Sequence, residues 1–276
     1  MVQKNILVSI LINNYNNQKF IKKTILSCLN QSYKNLEIII YDDKSNDNSK
    51  NIINKFKDVR IKKIFNKTKK NNSSALNQLD AIYKSFKCSK GEIVFLLDGD
   101  DFFKPDKIKL ITNIFNKYKN VDFIQDNPTY FFPEENKFIK KNIKRKIFTL
   151  HTWPYFNPTS TMVFKRKFFD ILLKEISFSK SNYKNVFFDA RAFIYIHFFK
   201  KNYLQIKESF TIYTQNISGD TISKYNKMNF SWWERRKEYH HYVDELFKRK
   251  NKYRINLFDY YITLLINIFF KFIIKN

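Results

Sequence analysis

Three carboxylates fall within four residues of this chain, at Asp98, Asp100 and Asp101, directly after the apolar run 93–97. An unalternating apolar run of this length is typical of a strand that is buried on both faces of a parallel sheet. Open α/β sheets bind ligands outside the carboxyl ends of their strands. Crowded carboxylates repel one another unless a cation or hydrogen-bond donors lie among them, so the pattern indicates a divalent metal site. Taken alone, the same residues also fit an acidic turn ahead of a helix that starts at Pro105.

Two further polar turns follow apolar runs earlier in the chain. The run 6–12 leads into the asparagine-rich turn 13–16, and the run 36–41 ends in Asp42 and Asp43. These turns would lie at strand ends, where an α/β sheet presents its ligand site. Helix capping is the alternative role for Asp42 and Asp43, although Ser45 and Asp47 could cap the following helix equally well.

The elements that position these turns alternate between strand and helix patterns. Strands are predicted at 6–12, 36–41, 59–65, 93–98 and 121–125, with amphipathic helices after each of the first four. Asn16 or Asn17 is expected to cap the first helix, and Ser73 or Ser74 the third. The second and fourth of these helices are predicted at 47–56 and 105–118. Alternation of this kind predicts a parallel sheet with helices on both faces.

Composition narrows the function classes. The chain has 276 residues, which suits one large domain or a domain with a smaller subdomain. Three glycines exclude a GxGxxG dinucleotide fold and a Walker phosphate loop. Cys28 and Cys88 lie in helical patterns and are predicted to be small core residues in a reducing compartment, and the first residues do not resemble a signal peptide. A net charge of +26 favours a polyanion or an anionic membrane surface as a neighbour.

The second half is less regular. Residues 137–146 hold six basic and no acidic residues and are predicted to form a solvated or surface-binding hairpin. Helices are predicted at 187–199 and 232–247, and a strand at 207–213. In the mainly apolar segment 255–274, a polar residue recurs at every fourth position, namely Asp259, Thr263, Asn267 and Lys271. The segment is interrupted too often for a membrane span, so we expect a helix that lies in the membrane interface or packs on a partner.

Three segments together resemble the family 2 glycosyltransferases of the GT-A fold. They are 8–16 (VSILINNYN), 39–49 (IIYDDKSNDNS) and 95–101 (FLLDGDD), in the order and spacing of that family and each at a predicted strand end. The resemblance implies an α/β fold with a mostly parallel nucleotide-binding sheet flanked by helices, a C-terminal acceptor subdomain and terminal helices. It divides the chain into a nucleotide-sugar-binding core (1–125), an acceptor-binding part of the same catalytic domain (126–225) and a C-terminal helical extension (226–276).

The resemblance also implies roles for particular residues in an inverting transfer of sugar from a nucleotide donor, here a UDP-sugar. The turn formed by Asn14, Tyr15 and Asn16 would line the nucleoside pocket together with Asp43, which would face the base. Asp98 would approach the ribose, with Gly99 beside it. Asp100, supported by Asp101, would hold Mn²⁺ or Mg²⁺ across the diphosphate, because a departing nucleoside diphosphate needs a Lewis acid.

Two segments of the second half resemble the same family. Residues 157–164 (NPTSTMVF) are similar to the border of the acceptor site, and Asp189 stands where the family has its catalytic base. The family often has an acidic pair there, whereas Phe188 precedes Asp189 in this chain. A helix N-terminus is expected to keep Asp189 ionised, and an ordinary N-cap is the alternative role. Gln215 and Asn216 occupy a segment that commonly contains a metal-reaching histidine.

The favoured hypothesis is a metal-dependent glycosyltransferase in surface-glycan assembly. It would be cytoplasmic and peripheral at the inner face of the cytoplasmic membrane, with a glycan or lipid-linked acceptor and no nucleic-acid partner. One alternative is a metal-dependent nucleic-acid-binding protein or nuclease that uses the basic surface and the carboxylates of Asp98, Asp100 and Asp101. The pair Asp42 and Asp43 argues against it, since a phosphodiester site would not require them. A catalytically degenerate transferase scaffold is the third hypothesis.

Overall fold

A seven-stranded sheet runs through the centre of the protein. The structure is a computed structural model that describes residues 5–68, 71–140, 156–177, 182–200, 202–215, 229–253 and 257–275. The strands of this sheet are β1 (Val8–Asn14), β2 (Leu36–Asp42), β3 (Ile61–Phe65), β4 (Ile93–Asp98), β6 (Phe123–Gln125), β9 (Met162–Lys165) and β10 (Tyr203–Gln205). Their order across the sheet is β10-β6-β9-β4-β1-β2-β3. The strands predicted from the first half are all present, with bounds that shift by about two residues.

The register of the central strands brings the predicted polar turns to one edge. Strand β1 pairs in parallel with β2 on one side and β4 on the other, with Asn14 opposite Asp42 and Asn13 opposite Asp98. These strands are buried because both faces of the sheet are covered by helices. Successive residues of β1 point to opposite faces, so that Leu11 belongs to one core cluster while Ile10 and Ile12 belong to the other.

Helices cover the two faces in separate sets. One core cluster contains side chains of α1 (Ile21–Leu29), α2 (Ser49–Lys55) and α4 (Lys107–Lys117). The opposite cluster contains side chains of α3 (Ser74–Cys88), α5 (Arg166–Ile176), α6 (Phe188–Phe199) and α7 (Phe230–Arg249). A last helix, α8 (Phe258–Lys275), packs on α7. The predicted α/β class with a flanked sheet is confirmed.

Strand β9 makes the sheet mixed. It lies between β4 and β6 and runs antiparallel to both, whereas β1, β2, β3 and β4 pair in parallel, as do β6 and β10. Strand β9 contains the last three residues of the segment 157–164. Residues Thr159–Thr161, just before β9, form a 3-10 turn against the end of β4. The segment that resembles an acceptor border therefore also buttresses the acidic turn.

A second, four-stranded sheet covers one end of the first. Its order is β5-β11-β7-β8, with β5 at Phe102–Phe103, β7 at Pro128–Phe132, β8 at Lys137–Lys140 and β11 at Thr211–Thr214. Strands β7 and β8 form an antiparallel hairpin, which includes the start of the predicted basic hairpin. Residues 141–146 of that prediction lie outside the described residues. The strand predicted at 207–213 begins later than expected, at Thr211.

A buried ion pair ties the two halves of the chain together. The Lys107 ammonium of α4 lies 2.9 Å from the Asp126 carboxylate, and both side chains are fully buried. The same ammonium donates to the Ser160 carbonyl (2.9 Å) and to the Thr211 hydroxyl (2.6 Å). The second Asp126 oxygen accepts the backbone N–H groups of Phe210 and Thr211. This pairing fixes the 3-10 turn and β11 against the first half.

Some local predictions are wrong. Cys28 is buried as expected, but Cys88 is exposed, because it is the last residue of α3. Neither Asn16 nor Asn17 caps α1 with its side chain. The helix starts at Ile21, and the Asn17 carbonyl accepts the first N–H groups instead. Ser73 does cap α3, since its hydroxyl accepts from the backbone N–H of Leu76.

The C-terminal helix α8 turns its polar stripe inward. Asp259, Thr263 and Asn267 are buried, while Lys271 is exposed. Within the described residues, no helix is long and apolar enough to cross a membrane.

Candidate active site

A pocket of about 590 Å³ opens at the carboxyl edge of β1, β2 and β4. Its lining contains five predicted donor-site residues, namely Asn14, Tyr15, Asp43, Asp98 and Gly99. Clefts of about 300–1,000 Å³ are the usual size for small-molecule sites. The fold thus brings together residues that are up to 85 positions apart in the sequence, because parallel strands end at a common edge.

The asparagine turn and the Asp42 turn hold each other. The Asn14 amide donates to Asp42 (2.7 Å) and to the Ser45 hydroxyl (3.3 Å), and Asp42 also accepts from the Ser45 hydroxyl and backbone N–H. The carbonyl oxygen of the Asn14 amide is buried, and it has no hydrogen-bond partner among the described residues. A buried acceptor without a partner costs free energy, and this oxygen lies where the asparagine turn packs on Gly99.

Asp42 and Asp43 therefore have different positions. Asp42 is enclosed by its bonds to Asn14 and Ser45, whereas Asp43 lines the pocket and accepts from the Asn66 amide at 2.8 Å. Neither carboxylate caps α2, whose N-cap residue is Asn48. The alternative role of Asp42 and Asp43 as helix caps is therefore wrong.

Asn16 shapes the turn but does not line the pocket. Its φ of 52° lies in the left-handed region, which asparagine tolerates better than most residues. Its side-chain oxygen accepts from the Asn46 backbone N–H, and its own N–H donates to the Ser45 hydroxyl. The structure gives Asn16 a turn-forming position, and its predicted contact with the nucleotide stays a prediction.

Gly99 is required by a close approach between backbones. A Cβ atom at this position would lie 3.0 Å from the Asn13 carbonyl oxygen and 2.5 Å from the Asn14 side-chain oxygen. The Gly99 N–H donates to the Asn13 carbonyl at 2.7 Å, and its own carbonyl accepts from the Thr24 hydroxyl. Glycine therefore lets the acidic turn pack directly against the asparagine turn.

Burial and mutual repulsion hold protons on the acidic cluster. Burial raises the pKa of Asp98 to about 7, with further contributions from the charges of Asp100 and Asp189. Burial also raises the pKa of Asp100 to about 6. The pKa of Asp101 is raised well above its ordinary value by burial and by the charges of Asp100 and Asp98. A cation among these carboxylates would reverse these shifts.

Asp101 is anchored to the second half of the chain. One carboxylate oxygen accepts from the Ser160 hydroxyl (2.5 Å) and the other from the Thr214 backbone N–H (2.8 Å). Ser160 in turn accepts from the Asp98 backbone N–H at 2.9 Å. Both Asp101 oxygens are therefore engaged by the protein, whereas Asp100 is half-buried in the same turn. Of the two predicted metal ligands, Asp100 has the freer position for an added ion.

Asp189 lies in the first turn of α6, close enough to the acidic cluster to raise the pKa of Asp98. Phe187 is the N-cap residue, so Asp189 is not the cap. Its carboxylate accepts from the Ala190 N–H at 2.8 Å. The expectation that Asp189 is simply held ionised needs correction, because burial raises its pKa despite the opposing effects of the Arg235 charge and the Ala190 N–H.

Gln78 is a site residue that the sequence interpretation missed. Its amide nitrogen lies 3.3 Å from the Thr159 hydroxyl and, at a longer 3.5 Å, from the Asp98 carboxylate. Its amide oxygen accepts the backbone N–H of Phe188 at 3.2 Å. One side chain on α3 therefore links the acidic turn to the helix that carries Asp189. No sequence signal could have found it, because its partners are 20 to 110 residues away.

Tyr213 on β11 also faces the cluster. Its pKa is raised well above the ordinary value by burial and by the charges of Asp101, Asp100, Asp98 and Asp189. Gln215 follows β11, and its N–H donates to the Phe131 carbonyl at 2.7 Å. Asn216, the other residue at the expected histidine position, lies outside the described residues.

This geometry, an acidic turn and a pocket at the carboxyl edge of a mixed sheet, is that of the GT-A class. Residues 9–173 match the model of glycosyl transferase family 2. The chain therefore belongs to glycosyl transferase family 2, as the sequence predicted.

Two curated relatives illustrate the similarity. The chain is 38% identical over 136 residues to the Escherichia coli UDP-Glc:alpha-D-GlcNAc-diphosphoundecaprenol beta-1,3-glucosyltransferase WfaP, a match that covers 49% of this chain and 48% of that protein. It is 38% identical over 122 residues to the Staphylococcus aureus poly(ribitol-phosphate) beta-N-acetylglucosaminyltransferase TarP, covering 42% and 35%. The matches thus span half or less of these relatives' lengths.

Solved structures share the fold at low sequence identity. Staphylococcus aureus TarS 1-349 in complex with UDP-GlcNAc superposes with a TM-score of 0.58 at 16% identity, covering 86% of this chain and 66% of that one. The mannosyltransferase PcManGT from Pyrobaculum calidifontis, in complex with GDP-Man and Mn²⁺, gives a TM-score of 0.56 at 12% identity, with coverages of 94% and 68%. At this identity the likeness supports the fold.

The Gln78 link yields a stability prediction. Gln78→Met keeps the side chain's length but leaves the Phe188 N–H and the Thr159 hydroxyl without their partner, which costs about 1–3 kcal/mol of unfolding free energy. Denaturant unfolding measures this loss. Gln18→Met is the matched control, because Gln18 is exposed and water can replace it as the acceptor of the Asn48 N–H. Equal losses in the two variants would contradict the linking role.

Proposed function

We propose that this chain transfers a sugar from a nucleoside-diphosphate donor, a UDP-sugar, to a hydroxyl of a glycan or lipid-linked acceptor. The observation that carries the proposal is the juxtaposition of the pocket with the acidic cluster of Asp98, Asp100 and Asp101 at one edge of the sheet. The family match and the nucleotide-sugar complexes of structures with the same fold support it.

The donor's nucleoside is assigned to the pocket. Asp43 and the asparagine turn at Asn14 and Tyr15 would bind the base, and Asp98 with Gly99 would approach the ribose. Carboxylate and amide groups suit this role because they accept hydrogen bonds from the N–H of a base and the hydroxyls of a ribose.

The residues of the acidic turn fit Mn²⁺ or Mg²⁺. These ions prefer hard oxygen ligands, which aspartate carboxylates supply. Burial raises the pKa of Asp98 and of Asp100, and for Asp98 the charges of Asp100 and Asp189 add to this, so a cation would stabilise the ionised carboxylates. In the described part of the chain, no group of three or more His, Cys, Asp or Glu side chains is placed to hold an ion alone. Asp100, with Asp101 in support, would therefore share the ion with the donor's diphosphate. When bound, the ion supplies Lewis-acid stabilisation of the departing diphosphate.

Asp189 is the proposed general base. The acceptor hydroxyl oxygen would form a bond to the anomeric carbon while the bond from that carbon to the diphosphate breaks, and the hydroxyl proton would pass to the Asp189 carboxylate. A raised pKa makes a carboxylate a better proton acceptor near neutral pH. Because attack comes from the side opposite the leaving group, the anomeric configuration inverts.

We place this reaction in surface-glycan assembly at the inner face of the cytoplasmic membrane. The relative WfaP is named for an alpha-D-GlcNAc-diphosphoundecaprenol acceptor, which is lipid-linked. The charge of +26 suits a location beside anionic lipid. The acceptor-binding role of residues 126–225 belongs to the same proposal.

The first test is a screen of nucleotide sugars for nucleotide release in the presence of Mn²⁺, with Asp100→Asn as the key variant. The amide keeps the shape but removes the charge, so release should fall by about 10²-fold or more and lose its metal dependence. Asp106→Asn is the matched control, since Asp106 is exposed and makes no side-chain cap bond to α4.

Other outcomes of this screen decide against the proposal. Unchanged release by Asp100→Asn would remove Asp100 from the chemistry. Absence of release with every donor, while UDP still raises the melting temperature, would identify a degenerate scaffold. Cleavage of DNA or RNA in place of sugar transfer would favour the nuclease alternative.

The second test concerns the base. Asp189→Asn should lower kcat by about 10²–10⁴-fold, because the amide cannot accept the proton. Donor binding and the melting temperature should change little, since the amide oxygen can still accept from the Ala190 N–H. Asp170→Asn on the neighbouring helix α5, whose carboxylate forms surface ion pairs, is the control. Collapse of donor binding together with turnover would make Asp189 a structural residue.

A further inference from the structure

Helix α8 is inverted relative to an ordinary surface helix. A surface helix packs its apolar stripe on the core and presents its polar side to water. In α8 the polar residues Asp259, Thr263 and Asn267 are buried to more than nine-tenths. The opposite side is apolar and 52–68% exposed in its large residues, which are Phe258, Tyr261, Leu265, Ile268, Phe269, Phe272 and Ile273.

Polar contacts with α7 fix this orientation. Asp259 pairs with Arg236, and its second carboxylate oxygen lies 3.4 Å from the imidazole of His240. The Thr263 hydroxyl lies 3.3 Å from the same imidazole, and the Asn267 amide donates to the Trp233 carbonyl at 3.0 Å. Rotating the helix to bury its apolar side would break these contacts and would leave the polar groups of α7 without their partners. The apolar side is therefore held outward.

An exposed apolar helix face of this length is expected to be an interaction surface. Seven large side chains on one side of α8 form a contiguous patch, and such patches mark interaction sites because exposed apolar surface is unfavourable in water. The interior of this protein already covers both faces of its sheet with other helices. Among the described residues, no other element covers this face of α8.

The charge of the residues around α8 indicates which kind of surface binds its apolar face. Asp259 is the one acidic residue between positions 246 and 276, and it is buried against Arg236. The same span holds seven basic residues, which are Lys248, Arg249, Lys250, Lys252, Arg254, Lys271 and Lys275. Of these, Lys248, Arg249 and Lys252 are exposed at the turn that leads into α8, and Lys271 is exposed on α8 itself. A second copy of this chain would bring like charges together, whereas an anionic lipid surface complements them.

We infer that the exposed side of α8 lies in the interface of an anionic bilayer. The helix would lie parallel to the membrane with its apolar side chains in the acyl boundary and its cations at the headgroups. This deepens the proposed function, because a lipid-linked acceptor would then be presented to the enzyme at that surface. The docking itself needs neither donor nor turnover.

Co-sedimentation of the full chain with vesicles tests this inference. The chain should bind vesicles that contain phosphatidylglycerol, bind phosphatidylcholine vesicles far more weakly, and lose affinity as salt rises. The triple variant Leu265→Glu, Ile268→Glu, Phe272→Glu should bind the anionic vesicles at least about tenfold more weakly. The matched control carries Val59→Glu, Leu110→Glu and Ile171→Glu, which add the same charges at exposed apolar positions elsewhere.

The controls separate the possible outcomes. Both triple variants should keep the wild-type melting temperature and the UDP-induced shift, since all six positions are exposed and outside the donor pocket. Equal loss of vesicle binding in both variants would overturn the inference, because charge alone would then explain it. Failure of the wild-type chain to bind anionic vesicles at low salt would also overturn it. So would a wild-type chain that is a dimer by light scattering when the α8 variant is a monomer, because a second copy would then cover the apolar face. A wild-type chain that binds anionic vesicles but transfers no sugar would contradict the proposed function and leave the membrane inference standing.

Discussion

The partial or complete burial of three neighbouring carboxylates, together with the repulsion between them, is the constraint on which the site depends. The parallel register brings Asp98 to the edge where the asparagine turn ends, and the next residues add Asp100 and Asp101. Hydrogen bonds from Ser160, Thr214 and Gln78 satisfy part of this negative charge, and retained protons reduce the rest. The donor-free protein therefore stores an electrostatic cost at the place where a cation and a diphosphate would bind.

That cost has a definite pH dependence. Because the pKa values of Asp98 and Asp100 are raised in the folded state, to about 7 and about 6, the folded state binds more protons than the unfolded state above about pH 4. The contribution of these groups to stability is therefore lost as pH rises from about 4 to 7. Neutralising the cluster with a cation would restore it. Binding of the cation is therefore expected to raise the free energy of unfolding most at a pH where these carboxylates are ionised.

The second half of the chain completes this site through buried polar contacts. The Lys107–Asp126 pair holds the 3-10 turn and β11, which in turn supply the Ser160 and Thr214 donors to Asp101. Removing one partner of a buried ion pair lowers the free energy of unfolding far more than removing one partner of an exposed pair, because it leaves an uncompensated buried charge. The acidic turn and the two sheets are thus one polar network, and Gln78 extends it to the helix of Asp189.

The sequence predicted the parts whose signal is local. Buried parallel strands read as continuous apolar runs, so β1, β2 and β4 and the turns at their ends were found. Strand β9 was not identified as a strand because it has four residues inside a motif, and helix α5 was missed altogether. The positions of Gln78 and Arg235 depend on contacts with residues distant in the sequence. The spacing in α8 predicted one polar stripe, but periodicity alone could not tell which side faces the protein.

The most direct test of the account is the proton balance of donor binding. Calorimetric titration of UDP with Mn²⁺, at a pH between about 6 and 7 and in buffers of different ionisation enthalpy, counts the protons exchanged on binding. We expect net proton release that is larger for the wild-type chain than for Asp100→Asn, because Asp98 and Asp100 are partly protonated in the free protein and must ionise around the bound ion and diphosphate. The terminal phosphate of UDP, whose pKa is also about 6, contributes equally in both chains, so the difference between them reports the carboxylates. Binding of UDP with no proton release, or with equal affinity when Mn²⁺ is chelated, would contradict the claim that these carboxylates form the donor and metal site.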